Sequence, residues 1–268
     1  LIVDFHSHTR ESDGSLSPQA LVDFMIERGV EAFSISDHDT LAAYGRFEPP
    51  ADARVIAGIE INTTWRDNEV HVLGYGMRLD DADFKALLVR NRAARRARVE
   101  RMIAQLRAAG YGISMADIER EADGGQALGR PHVGKALIRA GHFSTIDAAF
   151  RSLLYGGRAG YVPSTYITPL EAINAIHAAG GLAVLAHPGR MRNQRLIDDL
   201  IALGIDGLEV FYPRHDAEDV ARFREICERN HLVMTAGADF HDIRYNTRGV
   251  GIEVDARDIT PFLETVVA

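Results

Sequence analysis

The sequence predicts an α/β fold built mainly from parallel strands, and three observations predict it. Short apolar runs of strand length alternate with amphipathic helical runs along most of the 268 residues. Seven such strands precede a last one at residues 250–254. Polar clusters fall at the strand ends, mostly on the C-terminal side, where α/β barrels build their active sites. A doubly wound open sheet explains the alternation nearly as well, but not why so many strand ends converge on one centre.

Ile2-Val3-Asp4-Phe5 forms the first strand and ends in His6-Ser7-His8, with Asp13-Gly14 in the loop beyond. Residues two apart in extended chain point to the same side, so His6 and His8 face one point. Asp13 folds back from the loop to add a hard oxygen. Ser17 then caps a helix that Pro18 opens, and Gly29 ends it near Arg28. Residues 32–36 form the second strand, ending in Asp37-His38-Asp39-Thr40. The third strand covers 54–61 with Glu60 near its end, and the fourth covers 69–75 with His71 near its start. A long helix follows over 81–109.

Residues 111–163 break the rhythm. They hold helical pieces at 115–121, 132–140 and 145–154, joined by Gly-rich loops. The expected division is therefore a barrel domain of residues 1–110 and 164–268, with a helical insertion at 111–163. The alternation then resumes with helices at 169–179, 196–203 and 217–229. The strand at 182–186 ends in His187-Pro188-Gly189-Arg190. Strands at 207–211 and 232–236 follow, the latter ending in Gly237-Ala238-Asp239-Phe240-His241. A closing helix covers 261–267.

The formal net charge is -8, which argues against a broad nucleic-acid-binding surface but leaves a local basic groove open. The one cysteine, Cys227, excludes an intrachain disulfide and sits in a helical apolar run as a small buried residue. That usage suits a reducing cytoplasm. No signal peptide, bilayer-spanning apolar stretch or obligate protein partner is legible.

The candidate metal ligands are His6, His8, Asp13, His38, Glu60, His71, His187, Asp239 and His241. All are imidazoles or carboxylates, which favours manganese, iron or zinc over soft-metal chemistry. The set is too large for one tetrahedral ion. Two or three clustered ions bridged by a carboxylate such as Glu60 would use it fully.

The ordered motifs D-F-H-S-H-T…S-D-G, S-D-H-D-T, G-I-E, H-V-L-G, A-H-P-G-R and A-D-F-H resemble the PHP (polymerase and histidinol phosphatase) family of metal-dependent phosphoesterases. The resemblance implies a distorted seven-stranded (β/α)7 TIM-like barrel with a trinuclear centre, often manganese-loaded. One ion would take His6, His8, Glu60 and Asp239. A second would share Glu60 and add His71 and His187, and a third would take Asp13, His38 and His241. Within the family the chain is most similar to the subgroup acting on nucleoside 3',5'-bisphosphates and short 5'-phosphorylated RNA. The marks are Arg190 after His187-Pro188-Gly189, the Arg130-Pro131-His132 segment, and Gly160-Tyr161-Val162.

The implied reaction is in-line attack of a metal-held hydroxide on phosphorus, with charge offset by the metals and arginines. Asp13, His38, Glu60 and Arg190 are the expected catalytic residues. Arg130, His132 and Arg190 are the expected substrate contacts, and Asp39 or His132 is a candidate general acid beside a metal-bound water. The run Arg90, Arg92, Arg95, Arg96, Arg98 and Arg101 reads as a solvated helix face. Trp65 and Tyr75 read as base-stacking candidates or core. The expected substrate is a small nucleotide, with short RNA second. The nearest rival is another phosphate ester, histidinol phosphate or a cyclic sugar phosphate. C–N bond hydrolysis and a non-catalytic metal module stand further off.

Overall fold

The computed structural model describes residues 1–48, 50–51, 53–191, 193–244 and 246–266. Strands β1 (Ile2–Asp4), β2 (Ala32–Phe33), β3 (Arg54–Val55) and β9 (Ile252–Glu253) form one sheet in the order β3-β2-β1-β9. Strands β4 (Gly58–Trp65), β5 (Asn68–Tyr75), β6 (Leu182–Leu185), β7 (Gly207–Phe211) and β8 (Val233–Ala236) form a second, in chain order.

β1, β2 and β3 are parallel, as are β6, β7 and β8. The expected parallel pairing fails at β4–β5, β5–β6 and β1–β9, which are antiparallel. The cause at β4–β5 is a two-residue hairpin. Arg66 and Asp67 both take left-handed φ, 47° and 62°, the twist that suits a tight hairpin, so β5 must return beside β4. The single strand expected at 54–61 is two elements, the two-residue β3 and the eight-residue β4, which belong to different sheets.

Helix α1 (Pro18–Glu27) is capped as expected, with the Ser17 hydroxyl accepting the Ala20 N–H. Helix α2 (Ala82–Ala108) starts from an Asp81 cap. Helices α3 (Met115–Ala122), α4 (Arg130–Arg139) and α5 (Ile146–Ala149) follow, and α5 runs into a π-helical turn at Phe150–Leu154. Val99, Met102 and Leu106 of α2 share one apolar cluster with Ile118, Val133, Leu137 and Leu153. The segment after α2 is thus packed on the second half of that helix.

Helices α6 (Pro169–Ala178), α7 (Leu196–Ala202) and α8 (Ala217–Asn230) cover the second sheet. Ile173, Ile176, Leu200 and Phe223 bury against Ile59, Val72, Leu185 and Leu208. Each such buried side chain stabilises by roughly 2 kcal/mol. The buried Cys227 belongs to this cluster. The closing helix α9 (Ala256–Thr265) starts earlier than expected, from an Asp255 cap, and carries Pro261 inside it; the expected end at Val267 lies outside the described residues. Among the described residues no helix is long and apolar enough to cross a membrane.

A candidate metal centre

The centre is assembled by strand ends. Past β1 the chain stays extended, and Ser7 is held on the far side by the Ser36 hydroxyl and the Ser34 carbonyl. His6 and His8 therefore both turn inward, as their spacing predicts, and both are fully buried. The loop that carries Asp13 is clamped by Asp37, which accepts the Thr9 N–H, the Thr9 hydroxyl and the Ser12 hydroxyl. The loop packs so closely that a Cβ on Gly14 would fall 2.2 Å from the His8 carbonyl oxygen.

Glu60 is the hub. Its Oε2 lies 3.2 Å from His6 Nε2, 3.2 Å from His8 Nε2 and 3.0 Å from His38 Nδ1. Its Oε1 lies 2.7 Å from His71 Nδ1 and 3.2 Å from His187 Nε2. Asp239 Oδ1 stands 3.5 Å from His6 Nε2 and 3.4 Å from His8 Nε2. Asp13 Oδ1 is 3.3 Å from His241 Nε2. All nine expected ligands thus meet in one pocket. Eight of them fall into three overlapping groups: His6, His8, Glu60 and Asp239; His8, Asp13, His38 and His241; and His38, Glu60 and His71; His187 touches Glu60 but joins none of the three. This partition differs from the expected one, since His38 joins the Glu60–His71 group and His8 joins the Asp13 group.

The residues fit divalent cations. Among the described residues, the buried His6 Nε2, His8 Nε2, Asp13 Oδ1, His38 Nδ1 and Glu60 Oε2 have no hydrogen-bond partner. Five such atoms facing one another would be costly unless something else satisfies them. Imidazole nitrogens and carboxylate oxygens are the donors that first-row divalent ions take.

Electrostatics agree with that reading. Burial works against a charged His8, but the close carboxylates of Asp239 and Glu60 outweigh it and raise its pKa to about 10. Burial likewise opposes a charged His6, and Glu209, Glu60 and Asp239 raise it well above the usual value. Despite burial, the neighbouring imidazoles hold Glu60, Asp13 and Asp239 well below the normal carboxylate range. Burial pulls His38 down to about 4. Asp39, His187 and Asp239 all take left-handed φ, at 52°, 30° and 50°. For non-glycine residues that backbone is strained, and such strain clusters at functional sites.

Several supporting residues lie outside the expected ligand set. Glu209 Oε1 is 2.9 Å from His6 Nδ1, and Glu209 Oε2 accepts the His187 N–H at 2.7 Å. Asp4 accepts N–H groups from Ala238, Gly251 and His6. Asn62 donates to His71 Nε2 at 2.9 Å. A carboxylate or amide inside an otherwise apolar strand is the one hint available, and it does not say which ligand the group supports.

The expected substrate contacts divide. Arg190 reaches the mouth of the pocket, where it donates to Asp239 at 2.9 Å and to the Tyr212 hydroxyl at 3.4 Å. Arg130 lies across the mouth, donating to Glu69 at 3.1 Å. His132 does not reach it. It is buried, accepts the Gly129 N–H at 3.1 Å to cap α4, and lines neither the metal pocket nor the adjoining cavity. The helix simply begins at Arg130, two residues before the predicted start, which turns His132 inward. Asp39 is also committed. Its oxygens accept from Arg95, Asn91 and the Asn62 N–H, which ties them to α2 and β4.

The basic run on α2 is not uniformly solvated. Arg90 and Arg96 pair with Glu171 and Glu119 at the surface, as read. Arg95 and Arg98 are buried instead and line the metal pocket, Arg95 held by Asp39 and Asn62, Arg98 by the Val162 carbonyl and the Tyr166 hydroxyl. Of the stacking candidates, Tyr75 is buried with its hydroxyl on the Phe5 carbonyl, and Trp65 packs against the core.

No family model matches the chain. It is 32% identical over 251 residues to the 5'-3' exoribonuclease Rnm of Escherichia coli K12, covering 90% of this chain and 85% of that protein. It is 32% identical over 257 residues to the 3',5'-nucleoside bisphosphate phosphatase of Chromobacterium violaceum, covering 93% and 90%. It is also 32% identical over 265 residues to the phosphoribosyl 1,2-cyclic phosphate 1,2-diphosphodiesterase of Eggerthella lenta, covering 96% and 100%. Among solved structures, a Bifidobacterium adolescentis protein assigned as a metal-dependent phosphoesterase superposes with a TM-score of 0.81 at 31% identity, over 89% of this chain and 87% of that one. A Chromobacterium violaceum protein described as an amidohydrolase, with bound sulfate and no metal, superposes with a TM-score of 0.86 at 29% identity, over 99% and 96%. With its motif order, its histidine- and carboxylate-lined pocket and these relatives, the chain belongs to the PHP family of metal-dependent phosphoesterases.

Proposed function

We propose that this protein is a metal-dependent phosphatase that removes the 3'-phosphate of nucleoside 3',5'-bisphosphates, giving the nucleoside 5'-phosphate and phosphate. Trimming of short RNA from the 5' end is its second activity. The observation that carries this reading is the meeting of five imidazoles on Glu60 beneath a mouth flanked by Arg130 and Arg190. The metal centre and the pair of arginines suit a substrate with two phosphates. The relatives named for a nucleoside bisphosphate phosphatase and for exoribonucleases support the same class.

The nine ligands named above would hold two or three divalent ions, with manganese the expected metal. Bound there, such ions supply Lewis acidity and a water acidic enough to attack phosphorus at neutral pH. The protein's own groups do the rest. Asp13, His38 and Glu60 hold the reacting end of the pocket, and against the cost of burial the surrounding imidazoles keep Glu60 ionised. Arg190, steadied by Asp239 and Tyr212, offers its planar fork to the non-bridging oxygens of the reacting phosphate. Arg130 takes the second phosphate. Each guanidinium has five N–H donors, more than these protein contacts use.

A distorted seven-stranded (β/α)7 barrel, residues 1–110 and 164–268, carries the site, with 111–163 as a cap. Support comes from bridges that join the two sheets, Ser7 with Phe240 and His38 with Glu60, and from the Phe5 N–H on the Ala236 carbonyl at 2.8 Å. The separate apolar cluster after α2 supports the cap. A single buried cysteine supports residence in the cytoplasm.

The test ranks kcat/KM over a panel of phosphate esters with manganese present. Phosphate and AMP released from adenosine 3',5'-bisphosphate, ahead of the rest, is the expected result. A cyclic ribose phosphate at the head of the ranking would favour the diesterase reading that the Eggerthella lenta relative raises. Turnover of amides with no turnover of phosphate esters would overturn both.

A further inference from the structure

A second cavity, of about 360 Å³, opens beside the metal pocket. The two share Glu69, His71, Arg130, His187 and Arg190 along their boundary. Its size falls within the range of small-molecule sites. An ester whose phosphate lies among the metal ligands has room for the rest of the molecule across that shared boundary.

The far wall comes from the helical segment after α2. There the π-helical turn Phe150–Leu154 ends and Tyr155 leaves it in extended conformation. Phe150 lines the metal pocket and Tyr155 lines the second cavity. The two rings meet edge to face, with centroids 5.6 Å apart, so Phe150 braces Tyr155. Among the described residues, Tyr155 is the one aromatic among the large apolar side chains left exposed, at 47%. Met191 and Leu196 supply apolar surface to the same cavity, and Asn68 and Asn193 supply amides. π-helical turns are rare and frequently lie at functional sites.

We propose that this cavity is the nucleobase subsite, with Tyr155 as the stacking residue. The occupant is the base of the nucleotide whose phosphate lies in the metal pocket, or of the 5'-terminal nucleotide of a short RNA. Base–aromatic stacking is tolerant of sequence, since every base has a π face. The subsite therefore recognises that a base is present rather than which base it is. This rests on the phosphatase reading above.

The test compares the metal-loaded wild type with Tyr155→Ala and Tyr155→Phe on two substrates. One is adenosine 3',5'-bisphosphate and the other is ribose 3,5-bisphosphate, which lacks the base. Tyr155→Ala is expected to raise KM for the base-bearing substrate roughly tenfold more than for the base-free one. Tyr155→Phe keeps the wild-type ratio. Equal effects on both substrates, or no effect on either, overturn the proposal while leaving the phosphatase reading intact. If the wild type turns over neither substrate, the phosphatase reading falls, and calorimetry with AMP and ribose 5-phosphate decides the subsite. A wild-type preference for AMP that Tyr155→Ala erases sustains it, and no preference overturns it.

Discussion

Glu209 Oε1 lies 2.9 Å from His6 Nδ1, deep in the core, while its second oxygen accepts the His187 N–H at 2.7 Å. A carboxylate only accepts, so the Nδ1 proton stays on the Glu209 side and Nε2 faces Glu60 and Asp239. Partners of this kind fix the ring and raise its basicity, and losing one costs about 10- to 100-fold in metal affinity. Glu209→Gln is therefore expected to weaken binding of manganese at least tenfold while keeping a cooperative unfolding transition. Metal competition titration reads the affinity, and unchanged affinity would contradict the assignment.

Glu60 touches side chains carried by β5 and by the segments after β1, β2 and β6, so its removal should affect the whole centre rather than one ion. Glu60→Ala is expected to lower kcat by about a thousandfold or more and to reduce the metal content of purified protein. Elemental analysis alongside turnover separates this from a local defect. Full metal content with normal turnover is the outcome that the hub geometry forbids.

Arg130 is held by Glu69 at the mouth, away from the ligand cluster. Arg130→Ala is expected to raise KM for a nucleoside 3',5'-bisphosphate roughly tenfold or more, the loss of a charged hydrogen bond. A nucleoside 3'-monophosphate, lacking the second phosphate, should be affected less. Steady-state kinetics on the two substrates gives the ratio.

Metal uptake should depend on pH in a defined direction. In the metal-free protein the His8 pKa is about 10 and that of His6 is raised too, so both rings carry protons at neutral pH. Cations require neutral imidazoles, so binding expels protons. Affinity for manganese therefore rises as pH rises from 6 toward about 9 and falls as pH drops. Calorimetry in two buffers of different ionisation heat would show proton release; binding without it would contradict the charge state drawn from the geometry.

Gly237 has no room for a side chain. A Cβ there would fall 2.2 Å from His6 Cβ and 2.6 Å from Glu209 Oε1. Gly237→Ala is expected to destabilise the fold by about 1–3 kcal/mol, the usual cost of overpacking, and to weaken metal binding with it. Denaturant unfolding with and without manganese measures both.

The sequence by itself determined what is local or periodic. Two-residue spacing along extended chain turned His6 and His8 to one side, Ser17-Pro18 and Gly29 set the ends of α1, and the ordered polar strand ends pointed to the side chains that gather around Glu60. Tertiary structure alone decided the rest. Arg95 and Arg98 look like their solvated neighbours until packing buries them against Asp39 and Val162, because helical periodicity does not say what lies opposite a face. The hairpin at Arg66 and Asp67 reverses a strand that alternation reads as parallel. Glu209 and Tyr155 gain their places from chain segments far away in sequence. Direction is a short-range property of the backbone, whereas partnership depends on which surfaces the whole chain brings together.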